Sequence, residues 1–171
     1  HYKKPATLLR PNTSAKAAKA SGYGCLNAIL YLQPGASACP AAKSAGCLEP
    51  CLFTAGVAGV HKSINIARAN RSVYLQASPD EFKAQLLRDI DTISRQAERQ
   101  GMQAVIRLNG TSDIDWHDIY NARPAVKFVE YTKVIRPHLL SLPNLHLTFS
   151  YSGAARFQKH VAKAIELGYN L

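Results

Sequence analysis

No cysteine follows Cys51, and no acidic residue precedes Glu49. No apolar run is long enough to cross a bilayer, so a membrane-spanning helix is excluded. The chain also lacks a Gly-rich phosphate loop, a G-x-S-x-G turn and an H-E-x-x-H pair. Those absences remove the P-loop nucleotide hydrolases, the nucleophile-elbow hydrolases and the zinc proteases built on that helix. No secretory signal is present, which argues against export. Neither a helix-turn-helix pattern nor an aromatic-rich RNA-binding signature can be read, so any affinity for nucleic acid rests on charge alone.

What is present begins with charge. The 171 residues carry a formal net charge of +10, and 47% of them are hydrophobic, enough for one domain with its own core. Before Glu49 stand Lys3, Lys4, Arg10, Lys16, Lys19 and Lys43, with no carboxylate among them. That region therefore carries +6 of the +10, and such a field attracts polyanions. Residues 1–24 read as an extended basic arm with a short helical piece at 14–20, and 25–171 as a single domain. Nucleic acid or another polyanion is the expected partner of the arm, unless the arm is only a solvated face.

All four cysteines, Cys25, Cys39, Cys47 and Cys51, fall within 27 residues, spaced C-x13-C-x7-C-x3-C. Disulfide frameworks belong mainly to small secreted domains, and this chain is large enough to do without one. Thiolates suit zinc or an iron–sulfur cluster. Structural zinc sites show two close cysteine pairs, whereas this chain has one, Cys47 and Cys51. The spacing thus tilts toward a cluster, [4Fe–4S] being expected, with zinc and chance clustering as alternatives. The cysteine loop spans 25–59.

Coarse elements follow from periodicity. Ile29–Leu32 reads as a short strand ended by Pro34-Gly35, and Thr54–Tyr74 as the helix leaving the cysteine loop. Ser78-Pro79-Asp80-Glu81 is a helix start, after which Phe82, Leu86, Ile90, Ile93 and Ala97 recur at helical spacing. Strands are expected at 104–108, 126–131 and 145–150, with short helices at 114–120 and 134–142. A last amphipathic helix covers 154–167, and Tyr169-Asn170-Leu171 reads as the start of one more strand. Strand–helix alternation implies a parallel sheet, either open or a partial (β/α) barrel.

Parallel sheets gather function at the carboxyl ends of their strands. There the sequence places Asn109, Thr111 and Asp113, then Tyr131 and Lys133, then Ser150. These six are the candidate ligand-binding residues, with a Lys133–Asp113 ion pair expected across the rim. The bland reading has Ser112 and Asp113 capping the helix at Ile114. The histidines share no ligand spacing; His61 is the one substitute ligand in prospect, and His146 reads as a core histidine.

The strings CLEPCLFTAG, VIRLNGTSDIDW, FVEYTK and PNLHLTFSYSG resemble an uncharacterised family of bacteriophage proteins, the gene product eighty-eight family. The likeness runs from about Asn12 to Leu171. Members continue beyond a G-Y-N element like Gly168–Asn170, which implies a truncated chain. The likeness also implies a phage-encoded protein of the host cytoplasm or the virion, with another phage protein as a possible partner. A more distant resemblance is to radical S-adenosylmethionine (SAM) enzymes. Cys47, Cys51 and Phe53 match their C-x3-C-x-aromatic-C motif, with Thr54 where the third cysteine belongs. That resemblance implies a cluster on the loop after the first strand of a (β/α) barrel. Four cysteine ligands would close the cluster and leave it structural or electron-transferring. Three would leave one iron open to SAM.

Overall fold

The structure is a computed structural model and describes residues 2–11, 18–35, 37–47, 51 and 61–171. Four strands, β1 (Cys25–Ile29), β2 (Gln103–Arg107), β3 (Lys127–Thr132) and β4 (Leu145–Phe149), form one sheet in the order β1-β2-β3-β4. Every pairing is parallel. Four helices accompany them among the described residues: α1 (Lys62–Ala77), α2 (Pro79–Arg99), α3 (His117–Ala122) and α4 (Gln158–Glu166). The protein is an α/β protein with an open, all-parallel sheet. None of the described helices is long and apolar enough to cross a membrane.

Alternation along the strands selects the core. Leu26, Ala28, Ala104, Ile106, Phe128, Leu147 and Phe149 are buried on one parity. The opposite parity, from Val105 and Arg107 to Val129 and Tyr131, is half-buried or exposed. Strands joined in sequence order by right-handed crossovers put their helices on the same face, which explains the asymmetry. α2 supplies most of the cover through Phe82, Leu86, Ile90, Ile93 and Ala97, the stripe its spacing predicts.

His146 lies on the exposed parity of β4 and is not a core histidine. The start of α2 has Pro79 at its first turn, but Ser78 makes no side-chain cap. Glu81 instead accepts from Lys4 Nζ at 2.7 Å. The helix expected at 134–142 is only a 3₁₀ turn, Pro137–Leu139, because Pro137 disfavours helical backbone before it. The Arg136 N–H is taken by the Tyr169 hydroxyl at 2.6 Å. β1 starts four residues earlier than expected, and Leu30 still donates to the Arg107 carbonyl at 2.8 Å. The helix expected over Thr54–Tyr74 starts at Lys62 among the described residues and ends at Ala77; most of the helical piece at 14–20 also lies outside them. Asn170 bridges Thr148 in parallel, the strand-like contact expected of the 169–171 segment.

Residues 2–11 are not a free arm. Leu8 and Leu9 enter the core, and Asp89 Oδ2 accepts from both of their N–H groups, at 2.6 and 3.1 Å. Gln85 Nε2 donates to the Pro5 carbonyl, and Pro11 bridges Ala28. Two adjacent leucines at about 2 kcal/mol each outweigh the solvation of the neighbouring lysines.

Candidate functional site

The chain leaves β1 along buried Leu30 and Leu32 and turns at Pro34-Gly35. Cys39 N donates to the Gly35 carbonyl at 2.7 Å, starting a series of turns that runs to Cys47. Gly46, at φ 70°, supplies the left-handed residue that reverses the chain before Cys47. Three later segments pin this loop to the sheet. Thr111 Oγ1 donates to the Leu32 carbonyl at 2.5 Å, and Asp113 N donates to the Ala38 carbonyl at 2.6 Å. Ser152 Oγ donates to the Ala45 carbonyl at 2.7 Å, and Arg156 Nε to that of Ser44 at 2.9 Å.

Between the loop and the strand ends lies a cavity of about 270 Å³. Cys39, Cys47 and Cys51 line it, as do Asn109, Thr111, Asp113, Tyr131, Lys133 and Ser150. No disulfide joins any of the four cysteines. Cys25 is placed elsewhere. It opens β1 opposite Gln103, at the amino edge of the sheet, with its thiol on the Tyr23 carbonyl at 3.7 Å. Four steps of a strand put it roughly 13 Å below the rim, so it is not a ligand of a site shared with the other three. Phe53 and Thr54 lie outside the described residues. His61 stands exposed ahead of α1 and does not line the cavity.

Burial pushes the Cys39 thiol up to about 11, opposed by the Gly35 N–H···S contact and reinforced by Asp113 and the other two thiols. Its Sγ rests on the Thr111 carbonyl at 3.4 Å. A protonated thiol suits that setting, and a bound metal would displace the proton. Among the described residues, no group of three or more His, Cys, Asp or Glu side chains is close enough to hold a single metal ion.

Several candidate polar residues are already occupied within the chain. Asn109 Oδ1 accepts from Ser112 Oγ, Ile114 N and Trp116 Nε1, and its Nδ2 donates to the Ile114 carbonyl at 3.0 Å. It organises its own loop. Asp113 does not pair with the Lys133 ammonium. Arg136 Nη1 donates to its Oδ1 at 2.7 Å while Nη2 donates to the Asp113 backbone carbonyl, a grip on both the buried carboxylate and the main chain. The Lys133 backbone N–H donates to Oδ2, and Lys133 Nζ turns to Ser150 O, Ser150 Oγ and Tyr151 O at 2.9, 2.9 and 3.2 Å. Asp113 does not cap a helix either, because α3 starts at His117, whose N–H is taken by Asp115.

Sequence reasoning missed three contributors. Arg136 follows Lys133 with no pattern to mark it. Arg107 lines the cavity with its guanidinium 4.8 Å from the Tyr131 ring centre, and its Nε donates to the Asn109 carbonyl at 3.0 Å. Glu130 lies beneath the rim, 1% exposed, accepting from Leu108 N, Asn109 N and Tyr120 Oη at 2.6, 3.0 and 3.2 Å. Burial pushes its carboxyl up to about 7 against the pull of those donors and Arg107. This one had a signal: Glu130 shares the parity of Phe128 and Thr132, a charge at a core position.

Gly110 shows how closely the rim is packed. A Cβ there would stand 2.7 Å from Ile29 Cγ2, the Leu30 carbonyl and Tyr31 Cδ1. Only glycine lets the segment after β2 lie against the end of β1.

A family model described as Gene product 88 matches residues 6–168. No curated protein and no solved structure matches the chain.

Proposed function

The chain belongs to the gene product 88 family, and within it we propose a phage-type iron–sulfur protein whose cluster is held by Cys39, Cys47 and Cys51. The observation that carries this reading is one cavity at the carboxyl rim, shared by three thiols and a ring of polar side chains, with Cys25 at the far edge. The thiols are not gathered tightly enough for one ion. A cluster, whose irons and sulfides hold its thiolates apart, suits that spacing better than zinc does.

The order β1-β2-β3-β4, all parallel, is that of consecutive units in a (β/α) barrel, and this supports the partial-barrel, radical-SAM-like reading. In it Cys39 takes the place that Thr54 leaves vacant in the C-x3-C-x-aromatic-C motif. Three cysteine ligands leave one iron open to a small polar ligand, SAM among them; when bound, such a cluster supplies electron transfer and a coordination position. This chain's own residues do the rest. Arg107 and Lys133 set a positive field at the cavity wall, and Tyr131 offers an aromatic face. Asn109, Asp113 and Ser150 hold the rim in shape rather than presenting free groups.

Anaerobic expression with iron and sulfide tests the reading. The protein should be brown, with iron and acid-labile sulfide in matching amounts. Serine at Cys39, Cys47 or Cys51 should each remove most of the iron, and Cys25→Ser should keep it. A colourless, zinc-loaded protein would sink the cluster, and iron loss from Cys25→Ser equal to that from Cys47→Ser would sink the three-cysteine site.

A further inference from the structure

On α1, beside the amino-terminal segment, stand buried Arg68 and half-buried Arg71, with Arg10 exposed nearby. Arg68 is 7% exposed, yet among the described residues its Nε and Nη1 have no hydrogen-bond acceptor, and the buried Nε of Arg71 has none either. Both reach Tyr31. The Arg68 guanidinium lies 5.0 Å from the Tyr31 ring centre, and Arg71 Nη1 reaches the Tyr31 carbonyl at 3.5 Å. Arg10 donates to Thr7 Oγ1. Among the described residues no carboxylate pairs with any of the three.

A buried guanidinium with unmet donors is costly, and like charges three apart on one helix add to it. Burial lowers the pKa of both α1 arginines, and Arg10 and Arg68 lower that of Arg71 further. Beside them a cavity of about 180 Å³ opens between the two segments, lined by Lys3, Lys4, Ala67, Asn70 and Arg71. Its volume holds roughly six waters. Lys4 is engaged by Glu81, whereas Lys3 is exposed at the mouth.

We propose that Arg71, with Lys3 and Asn70, forms a binding site for a phosphate group in this cavity, with the charge of Arg68 one helical turn behind. Guanidinium forks match tetrahedral oxyanions with two parallel donors, and the unmet N–H groups are the donors such a ligand would satisfy. Arg71 and Lys3, with no carboxylate partner among the described residues, call for a multiply charged anion rather than a lone carboxylate. The same chemistry is offered by free phosphate or a nucleotide and by the backbone of a nucleic acid. This cavity shares no lining residue with the cysteine cavity, although Arg68 lies near enough to Cys51 to feel its charge.

The test uses the full chain, with inorganic phosphate and a short single-stranded DNA as probes at constant ionic strength. Calorimetry should show saturable binding of at least one. Arg71→Gln should weaken it roughly ten- to a hundredfold, the worth of a charge-assisted hydrogen bond. Arg71→Lys, which keeps the charge but loses the fork, should fall between and guards against a misfolded glutamine variant. Binding of phosphate assigns the site to an isolated anion. Binding of DNA alone, with a salt slope reduced in Arg71→Gln, assigns it to a polyanion. Saturable binding of neither probe, or equal affinity in wild type and Arg71→Gln, overturns the proposal.

Discussion

Replacing Glu130 with glutamine isolates the most deeply buried carboxyl group among the described residues. Its folded value is about 7 against an ordinary 4.5, so the folded protein holds this proton more tightly than the unfolded chain does. Stability from this group is therefore fully present below about pH 4.5 and is lost as pH rises through 7. Within that window the slope is about −1.4 kcal/mol per pH unit, and the total on the order of 3 kcal/mol. Glutamine cannot titrate, so Glu130→Gln should remove that slope. Its amide also turns an N–H₂ toward one of the backbone donors of Leu108 and Asn109, costing about 1–3 kcal/mol at low pH. The variant should thus be the less stable protein at pH 5, with the gap closing toward pH 8. Urea unfolding of both proteins across pH 4.5–8 measures this, and other titrating groups cancel in the difference. Parallel stability curves would refute the assignment of a proton to Glu130.

How much of this was legible in the chain depends on the range of the interaction. α2 and the strands β2, β3 and β4 were read within a residue or two, because hydrophobic periodicity is local and the core enforces it. The convergence of strand-end residues on one cavity was readable for a similar reason: parallel topology alone decides which ends share a face. Partner choice was not readable. Lys133 and Arg136 are both cations near Asp113, and which one pairs depends on the turn ahead of Pro137, set by Tyr169 from the far end of the chain. Cys25 failed differently. Proximity in sequence suggested a shared site, but a strand carries the chain steadily away from its starting edge, and Cys25 begins the strand that the cysteine loop ends. The arm reading weighed its lysines over Leu8 and Leu9, two adjacent side chains that no periodicity marks.

Two further perturbations bear on the rim. Gly110→Ala should destabilise the protein by about 1–3 kcal/mol, since one of the three 2.7 Å contacts is backbone and cannot rotate aside. An unchanged melting temperature would mean that the segment after β2 does not lie where it is placed against β1. The Asp113–Arg136 pair calls for a double-mutant cycle. Both side chains are only about a tenth exposed, and Asp113 also holds Thr132 Oγ1 and the Lys133 N–H. Removing the carboxylate charge with Asp113→Asn leaves the guanidinium only its 3.9 Å ion-pair contact with Asp115, so the cost is about 3 kcal/mol, the low end for breaking a buried pair. Arg136→Met strands the carboxylate in turn, though Thr132 and the Lys133 N–H still bond it, so the loss should be smaller. The double variant should be more stable than the sum of the two predicts, by roughly 1–3 kcal/mol, because the second change removes the charge that the first left unpaired. Chemical denaturation of the four proteins gives that coupling directly. Simple additivity would mean that Arg136 does not neutralise Asp113, and that the hydrogen bonds from Thr132 and the Lys133 N–H alone hold the carboxylate in place.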